Sequence, residues 1–337
     1  MRARLTRLLV TSSLFVSVGG SQPVQANDTA AELSVGGLTF TRSADVSIES
    51  ENLTITPELV TVRYSFRNNA ANPVDLTVAF PLPDIDLSEA ENYAIPANDS
   101  ANFVDFQTKV DGKPVTLTIN QRAVLGSKDV TAALRELGVP LLPIGAQQLR
   151  LTELSQPVRS RLLEQGLLVQ AGTDDRGRPL YDGGWTVKTS AVRQQTFVPG
   201  RAITVEHRYR PSVGVSFDTV LRKGLRQNKA MAKEVERYRN DYCIQPDFLA
   251  AVDKLAGSVE ANTGKLQERR ISYRLKTGAN WAGPIKDFRL VVDRIKPERL
   301  VSFCAPSAKP ISPTASEVSA KDFTPDKDLK ILIVGRF

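Results

Sequence analysis

Between Leu59 and Asn68 the chain reads LVTVRYSFRN. Val60, Val62, Tyr64 and Phe66 fall on one side, and Thr61, Arg63, Ser65 and Arg67 on the other. An extended backbone turns successive side chains to opposite faces, so this segment buries its apolar row only as a strand with one wet face. VDLTVAF repeats the pattern with Val74, Leu76, Val78 and Phe80 after the turn residues NNAANP. The two segments together predict a β-hairpin. PLP ends the second strand, because proline donates no ladder hydrogen bond. Upstream, ADVSIES and NLTIT predict two shorter strands, and downstream FVDFQTKV and VTLTINQ flank Asp111-Gly112, a tight-hairpin signal. WTVKTSAVRQQTF and AITVEHRY are separated by the turn pair Pro199-Gly200. RISYRLK, DFRLVVD, RLVSFC and LKILIV return the last part of the chain to β structure.

Helical patterns interrupt this series. Asp129 is placed to cap a helix reaching Leu137, with Val130, Leu134 and Leu137 on one face and Gly138 as the stop. Ser155 is placed to cap a second, with Val158, Leu162 and Leu163 inward and Gly166 at its end. Two more are expected over about 229–240 and 246–256, the latter with Pro246 in its first turn and Gly257 at its end. There is no regular strand–helix alternation and no Gly-rich phosphate loop. The fold class is therefore mainly β: one or more antiparallel β-sandwiches with helical insertions. The expected organisation is a β-sandwich domain over 27–218 with a helical insertion at about 128–183, a helical segment over 219–264, and a C-terminal antiparallel β region over 265–337 that packs on the first as one unit or stands apart.

The first residues carry an address. Arg2, Arg4 and Arg7 precede an apolar stretch over 8–18 and then SQPVQA, the arrangement of a signal peptide cut after Ala26. The apolar run is shorter than the ~20 residues that span a bilayer, and no later segment exceeds it, so the expected location is periplasmic with no transmembrane segment after cleavage. Loss of three arginines lowers the formal charge from +7 to about +4, too small an excess to call for nucleic acid as a partner. Both cysteines, Cys243 and Cys304, remain. In an oxidising compartment they most simply pair, closing a loop of roughly 60 residues.

Two resemblances follow from longer stretches. VRYSFRNNAANPVDLTVAFPLPDID with VDGKPVTLTINQRAV resembles the N-terminal sandwich domain of vault and inter-alpha-trypsin-inhibitor heavy-chain proteins, which implies a β-sandwich and no activity. A second resemblance covers nearly all of the chain beyond the leader. ELSVGGLTFTRSADVSIESENLTITPELVTVRYSFRNN, AFPLPDI, LRELGVPL, VEHRYRPSVG, DYCIQPDFLAAV, TGANWAGPIKDFRLVVD, LVSFC and DFTP, in this order, resemble an uncharacterised domain family of exported proteins in Gram-negative bacteria. That resemblance implies periplasmic residence and no catalytic residue.

Candidate chemistry is sparse. His207, the single histidine, lies on the apolar side of an alternating strand and is expected in the core. No G-x-S-x-G, S-x-x-K or H-E-x-x-H motif occurs. The acidic loops with Asp84, Asp86, Glu89 and Glu91, and with Asp174, Asp175 and Asp182, do not match EF-hand spacing. No catalytic residue, metal or cofactor is expected. The basic run Arg222, Lys223, Arg226, Lys229, Lys233, Arg237 and Arg239 is a solvated helix face, or a surface for anionic headgroups or acidic glycans. In TGANWAGPIKDF, Trp281 either caps the end of the sandwich from a turn or stands out as a stacking platform, which makes Trp281 and Asn280 the candidate ligand contacts. The expected function is a non-enzymatic binding or scaffolding module of the envelope, with a glycan or protein partner; the alternative is a carboxylate-based glycan hydrolase of the cell envelope.

Overall fold

The computed structural model describes residues 29–34, 37–88, 93–144, 147, 151–260 and 266–337. The expected leader over 1–26 lies outside the described residues, as do Glu89 and Glu91. The protein is mainly β, as the alternation requires. One sheet contains β3 (Val46–Ile55), β4 (Val60–Asn68), β8 (Gln107–Val110), β9 (Lys113–Pro114), β15 (Ala202–Tyr209), β18 (Ile285–Asp293), β20 (Lys309–Pro310) and β21 (Ala315–Phe323). Their order is β20-β21-β18-β3-β4-β15-β8-β9. The facing sheet contains β1 (Thr29–Ser34), β2 (Gly37–Thr41), β5 (Val74–Pro81), β6 (Ile85–Asp86), β10 (Thr118–Leu125), β11 (Lys128–Asp129) and β14 (Thr186–Phe197). It runs β11-β10-β14-β5-β1-β2, with β6 beside β14. Rings interlock between the two sheets: Phe66 meets Phe197 at 5.9 Å, and Phe80 meets Tyr209 at 5.8 Å.

The expected hairpin of β4 and β5 is corrected here. β4 pairs with β3 and β15, whereas β5 pairs with β14 and β1, so the chain crosses from one sheet to the other between them. The same crossing occurs between β14 and β15. The reason is local. The side chain of buried Asn68 donates to the carbonyls of Asn72 (2.9 Å) and Phe197 (2.7 Å) and accepts from the Ala70 N–H (2.8 Å). One amide thus ties both corners, and both apolar rows face inward across the sandwich instead of sharing one surface. Three smaller differences accompany it. ADVSIES and NLTIT form the single strand β3, irregular between Ile48 and Ser50. The β3–β18 pairing is parallel. The polar β21 has little apolar alternation and gave no strand signal.

A third sheet holds β7 (Tyr93–Ala94), β16 (Val213–Ser216), β17 (Gln267–Tyr273), β19 (Leu300–Phe303) and β22 (Leu329–Gly335), in the order β19-β22-β17-β16-β7. It is covered on both sides. Ile271, Tyr273, Leu329, Ile331 and Ile333 join the sandwich core. Leu332, Val334 and Leu266 pack instead with Tyr238, Tyr242 and Val252 in a second cluster. These last three come from the helices α4 (Ala232–Tyr242) and α5 (Pro246–Glu260), preceded by the short α3 (Lys223–Arg226). α5 continues past Gly257, which does not end it as expected.

The insertion supplies α1 (Thr131–Glu136) and α2 (Gln156–Glu164) and a separate hairpin of β12 (Leu168–Thr173) and β13 (Pro179–Gly183). Asp129 Oδ1 accepts the Thr131 N–H at 2.9 Å at the start of α1. Leu134, Leu142 and Leu162 enter the sandwich core, while Leu163 faces solvent rather than inward. Trp185 is fully buried, and its indole N–H donates to Leu141 O at 2.8 Å, which ties the insertion to β14.

Candidate functional site

The third sheet carries polar residues on its helix-covered face. By register, Arg270 of β17 sits beside Leu332 of β22, Ser272 beside Lys330, and Glu268 beside Val334. α4 lies over this face because Val235, Tyr238 and Tyr242 recur at helical spacing along its buried side. The same helix adds Glu234, Arg237 and Asp241. Where the apolar contact gives way to these groups, a cavity of about 590 Å³ opens, walled by Arg237, Tyr238, Asp241, Arg270, Ser272 and Lys330. A second cavity of about 260 Å³ shares Gly214, Arg270, Ser272 and Lys330 with it and adds Asp84, Arg274 and Asp328. The two cavities share this wall, and we treat them as one groove with Arg270 at the junction.

Its centre is a buried ion pair. Glu268 is 1 % exposed. Its Oε1 accepts from both the Tyr238 hydroxyl and Arg270 Nη1. Arg270 Nη1 also donates to Ser216 Oγ (2.7 Å) and reaches the Tyr238 oxygen (3.2 Å), while Nη2 donates to Val215 O (3.2 Å). A Cβ at position 214 would stand 2.9 Å from Arg270 Nε, so glycine there lets the guanidinium lie across β16. Burial pushes the Tyr238 hydroxyl well above its ordinary range, and the Glu268 charge adds to this; it therefore remains a donor. Burial also lifts Tyr242, to about 12. For Arg270 burial opposes the charge, but Tyr238 and Glu268 outweigh it and hold the guanidinium protonated. The rim is paired too: Arg237 bridges Glu234 and Asp241, and Lys330 Nζ meets Asp241 at 2.7 Å. At the other end Arg274 stands 3.3 Å from Asp84, and burial raises Asp84 and Asp328 above the usual carboxylate range against their cationic neighbours.

One family model, described as a domain of unknown function, matches residues 26–332. The chain belongs to that family, DUF4424. No curated protein matches the chain. Among solved structures, a candidate nutrient binding protein from Legionella pneumophila aligns with 92% of this DUF4424 chain and 70% of its own, at 15% identity and a TM-score of 0.45. An M1 zinc metallopeptidase from Deinococcus radiodurans aligns with 88% of the chain and 43% of its own, at 9% identity and a TM-score of 0.28. The DUF4424 chain thus spans less than half the length of that enzyme, and neither likeness carries an argument about function.

Of the residues singled out in the sequence, Arg237 and Asp84 line the groove, and the others described below lie elsewhere. Cys243 and Cys304 are bridged, with Cα atoms 5.0 Å apart, joining the end of α4 to the chain just after β19. Trp281 is 4 % exposed, with Phe66 at 4.7 Å and Phe197 at 6.0 Å. Its neighbours are pinned by Ser43 N–H to Asn280 O (2.9 Å) and Ala282 N–H to Val46 O (2.8 Å). A ring so enclosed offers no face on which a ligand could stack, and Asn280 is engaged through its backbone at the same corner. His207 is 2 % exposed among Tyr64, Phe80 and Phe106, with Nδ1 2.8 Å from Thr108 Oγ1. Asp86 caps Ser88, and Asp174 holds its own turn by accepting from Arg176 and Arg178. Among the described residues no group of three His, Cys, Asp or Glu is placed to hold a metal. In the basic run, Arg222, Arg226, Arg237 and Arg239 all meet carboxylates.

The groove itself escaped the sequence. The one available signal was LKILIV: Ile331, Leu332, Ile333 and Val334 are all fully buried, and a near-continuous apolar run marks a strand covered on both faces. That would have called for a helix over the outer face of this strand, where its neighbours Glu268 and Arg270 also lie.

Proposed function

We propose that this DUF4424 protein is an exported, periplasmic binding module that holds an envelope glycan in the groove between α4 and the third sheet, without turning it over. What carries the reading is Arg270: a guanidinium held by four protein partners over a glycine, at the junction of two polar cavities. Such pre-positioning lowers the ordering cost of gripping a ligand. The walls present serines, tyrosine hydroxyls and planar charged groups, and none of the cavity's lining residues is an aliphatic side chain. Hydroxyl-rich polymers suit a surface of that kind better than a protein partner does. The leader-like start of the chain supports export.

The test is calorimetric titration with soluble envelope glycan fragments. The wild type is expected to bind, and Ser272→Trp, which adds bulk to the groove wall at an exposed position, is expected to lose binding while melting like the wild type. Equal binding by the variant would overturn the reading. One observation favours a second reading: Asp84 and Asp328 line the same small cavity, and burial raises both. Release of new reducing ends that disappears in Asp84→Asn would replace binding with hydrolysis.

A further inference from the structure

A different cavity, of about 730 Å³, lies where the β3–β4 turn, the end of β15 and the start of β19 converge. Arg208, Arg210, Arg269 and Arg299 all line it, and Glu58 is the single carboxylate among its lining residues. Among the described residues none of the four arginines makes a salt bridge, whereas Arg237, Arg270 and Arg274 around the groove are paired. We infer that this cavity is a binding site for a phosphate-class oxyanion joined to an apolar body.

Three features make it a built site rather than a crowded surface. Arg299 is a charged residue only 3 % exposed, yet it is held by backbone rather than by a carboxylate: Nε donates to Arg336 O at 2.9 Å. Its stem needs Gly335, since a Cβ there would stand 2.8 Å from Arg299 Cγ. Two guanidiniums share one ring, with Arg299 4.1 Å and Arg269 4.8 Å from the Phe337 centroid. Like charges gathered here repel one another, and the Phe337 ring and Glu58 offset that only in part, so a bound anion would relieve the rest. Burial lowers the affinity of Arg269 and Arg299 for their protons despite the opposing charge of Glu58 on both and of Glu298 on Arg299, and Arg269 lowers it further for Arg299. Arg210 is held in place as well, donating to Pro96 O at 2.9 Å.

The composition of the walls selects the ligand. Four guanidiniums against Glu58 in the lining, and Glu298 acting on Arg299, still leave an excess of positive charge for an oxyanion to offset, and the planar fork of arginine matches phosphate oxygens. Leu59, Ile95, Val213 and Phe337 supply an apolar side, and the volume exceeds what a bare oxyanion fills. The same chemistry occurs in a soluble phosphate ester and in a phospholipid headgroup.

Inorganic phosphate, titrated into the full chain in chloride buffer, is the first probe. Saturable binding is expected. It should weaken about tenfold or more in Arg208→Ala/Arg210→Ala, two exposed positions, as charge-assisted hydrogen bonds are lost. It should strengthen in Glu58→Gln and stay unchanged in Ser272→Trp, which separates this site from the glycan groove. Co-sedimentation with vesicles of phosphatidic acid in phosphatidylcholine then identifies the source: pelleting that the double variant loses assigns a lipid headgroup, and phosphate binding without pelleting assigns a soluble ester. Absence of both phosphate binding and pelleting, or wild-type phosphate binding by a folded double variant, would overturn the inference.

Discussion

Replacing Arg270 by alanine removes the cation from a carboxylate that water cannot reach. Glu268 would keep the Tyr238 hydroxyl on Oε1 as its remaining donor, because its Oε2 has no hydrogen-bond partner among the described residues. Breaking a buried pair on one side costs about 3–5 kcal/mol, most of it the penalty of an uncompensated charge. Part of that arises here because Ser216 Oγ and Val215 O also lose their donor. Replacing both partners, as Glu268→Met/Arg270→Met, removes the charge along with its counterion. It should recover most of the loss, since apolar residues of similar volume are often neutral or stabilising at such sites. Urea unfolding of wild type, the single variant and the double variant gives both numbers directly. A single variant within about 1 kcal/mol of wild type would refute the buried-pair reasoning, since a solvated surface pair costs no more than that. The double variant has a further use: it should stay folded while losing glycan binding, because the anchored guanidinium is gone.

Three other outcomes follow from the same geometry. Trp281→Ala should cost about 3–5 kcal/mol in denaturant unfolding, as for other large core truncations; a loss below about 1 kcal/mol would mean the ring is not enclosed by Phe66 and Phe197. Non-reduced, denatured protein should show no free thiol, and Cys304→Ser should destabilise by about 4 kcal/mol through the entropy of the opened loop; stoichiometric thiol labelling without reductant would contradict the bridge. The hydrogen bonds from Arg226, at 2.5 Å, hold Asp253 below the ordinary carboxylate range. A carboxylate lowered by folding stabilises above its unfolded pKa, and that contribution is lost as pH falls through the folded value. Asp253→Asn should therefore cost at most about 1 kcal/mol near neutral pH, given the partial exposure of the pair, and the difference from wild type should vanish in acid; a gap that widens as pH falls would show the wrong sign.

Strand existence was legible because period-two alternation has a single structural meaning, and β4 and β15 follow it residue by residue. Pairing was less so. Whether two adjacent strands share a sheet depends on the corner between them, and here one buried amide, Asn68, decides it. Nothing in NNAANP distinguishes a hairpin turn from a crossing. The groove was illegible for a related reason. A charged residue on a strand looks solvent-facing until a helix is known to cover it, and α4 approaches Glu268 and Arg270 only through tertiary packing. For Trp281 the sequence offered two uses, a cap folded back on the sandwich or an exposed platform, and the ring takes the first, turned back between Phe66 and Phe197.

The central claim is that the groove beneath α4 holds a glycan without cleaving it. Nuclear magnetic resonance titration of the isotopically labelled protein with a soluble envelope glycan tests it most directly, because the same sample reports both contact and product. The account predicts saturable shifts at the amides of Gly214, Ser216, Ser272 and Lys330, with the sugar spectrum intact at the end. Shifts confined to other surfaces, no shifts at all, or the appearance of cleaved sugar would contradict it.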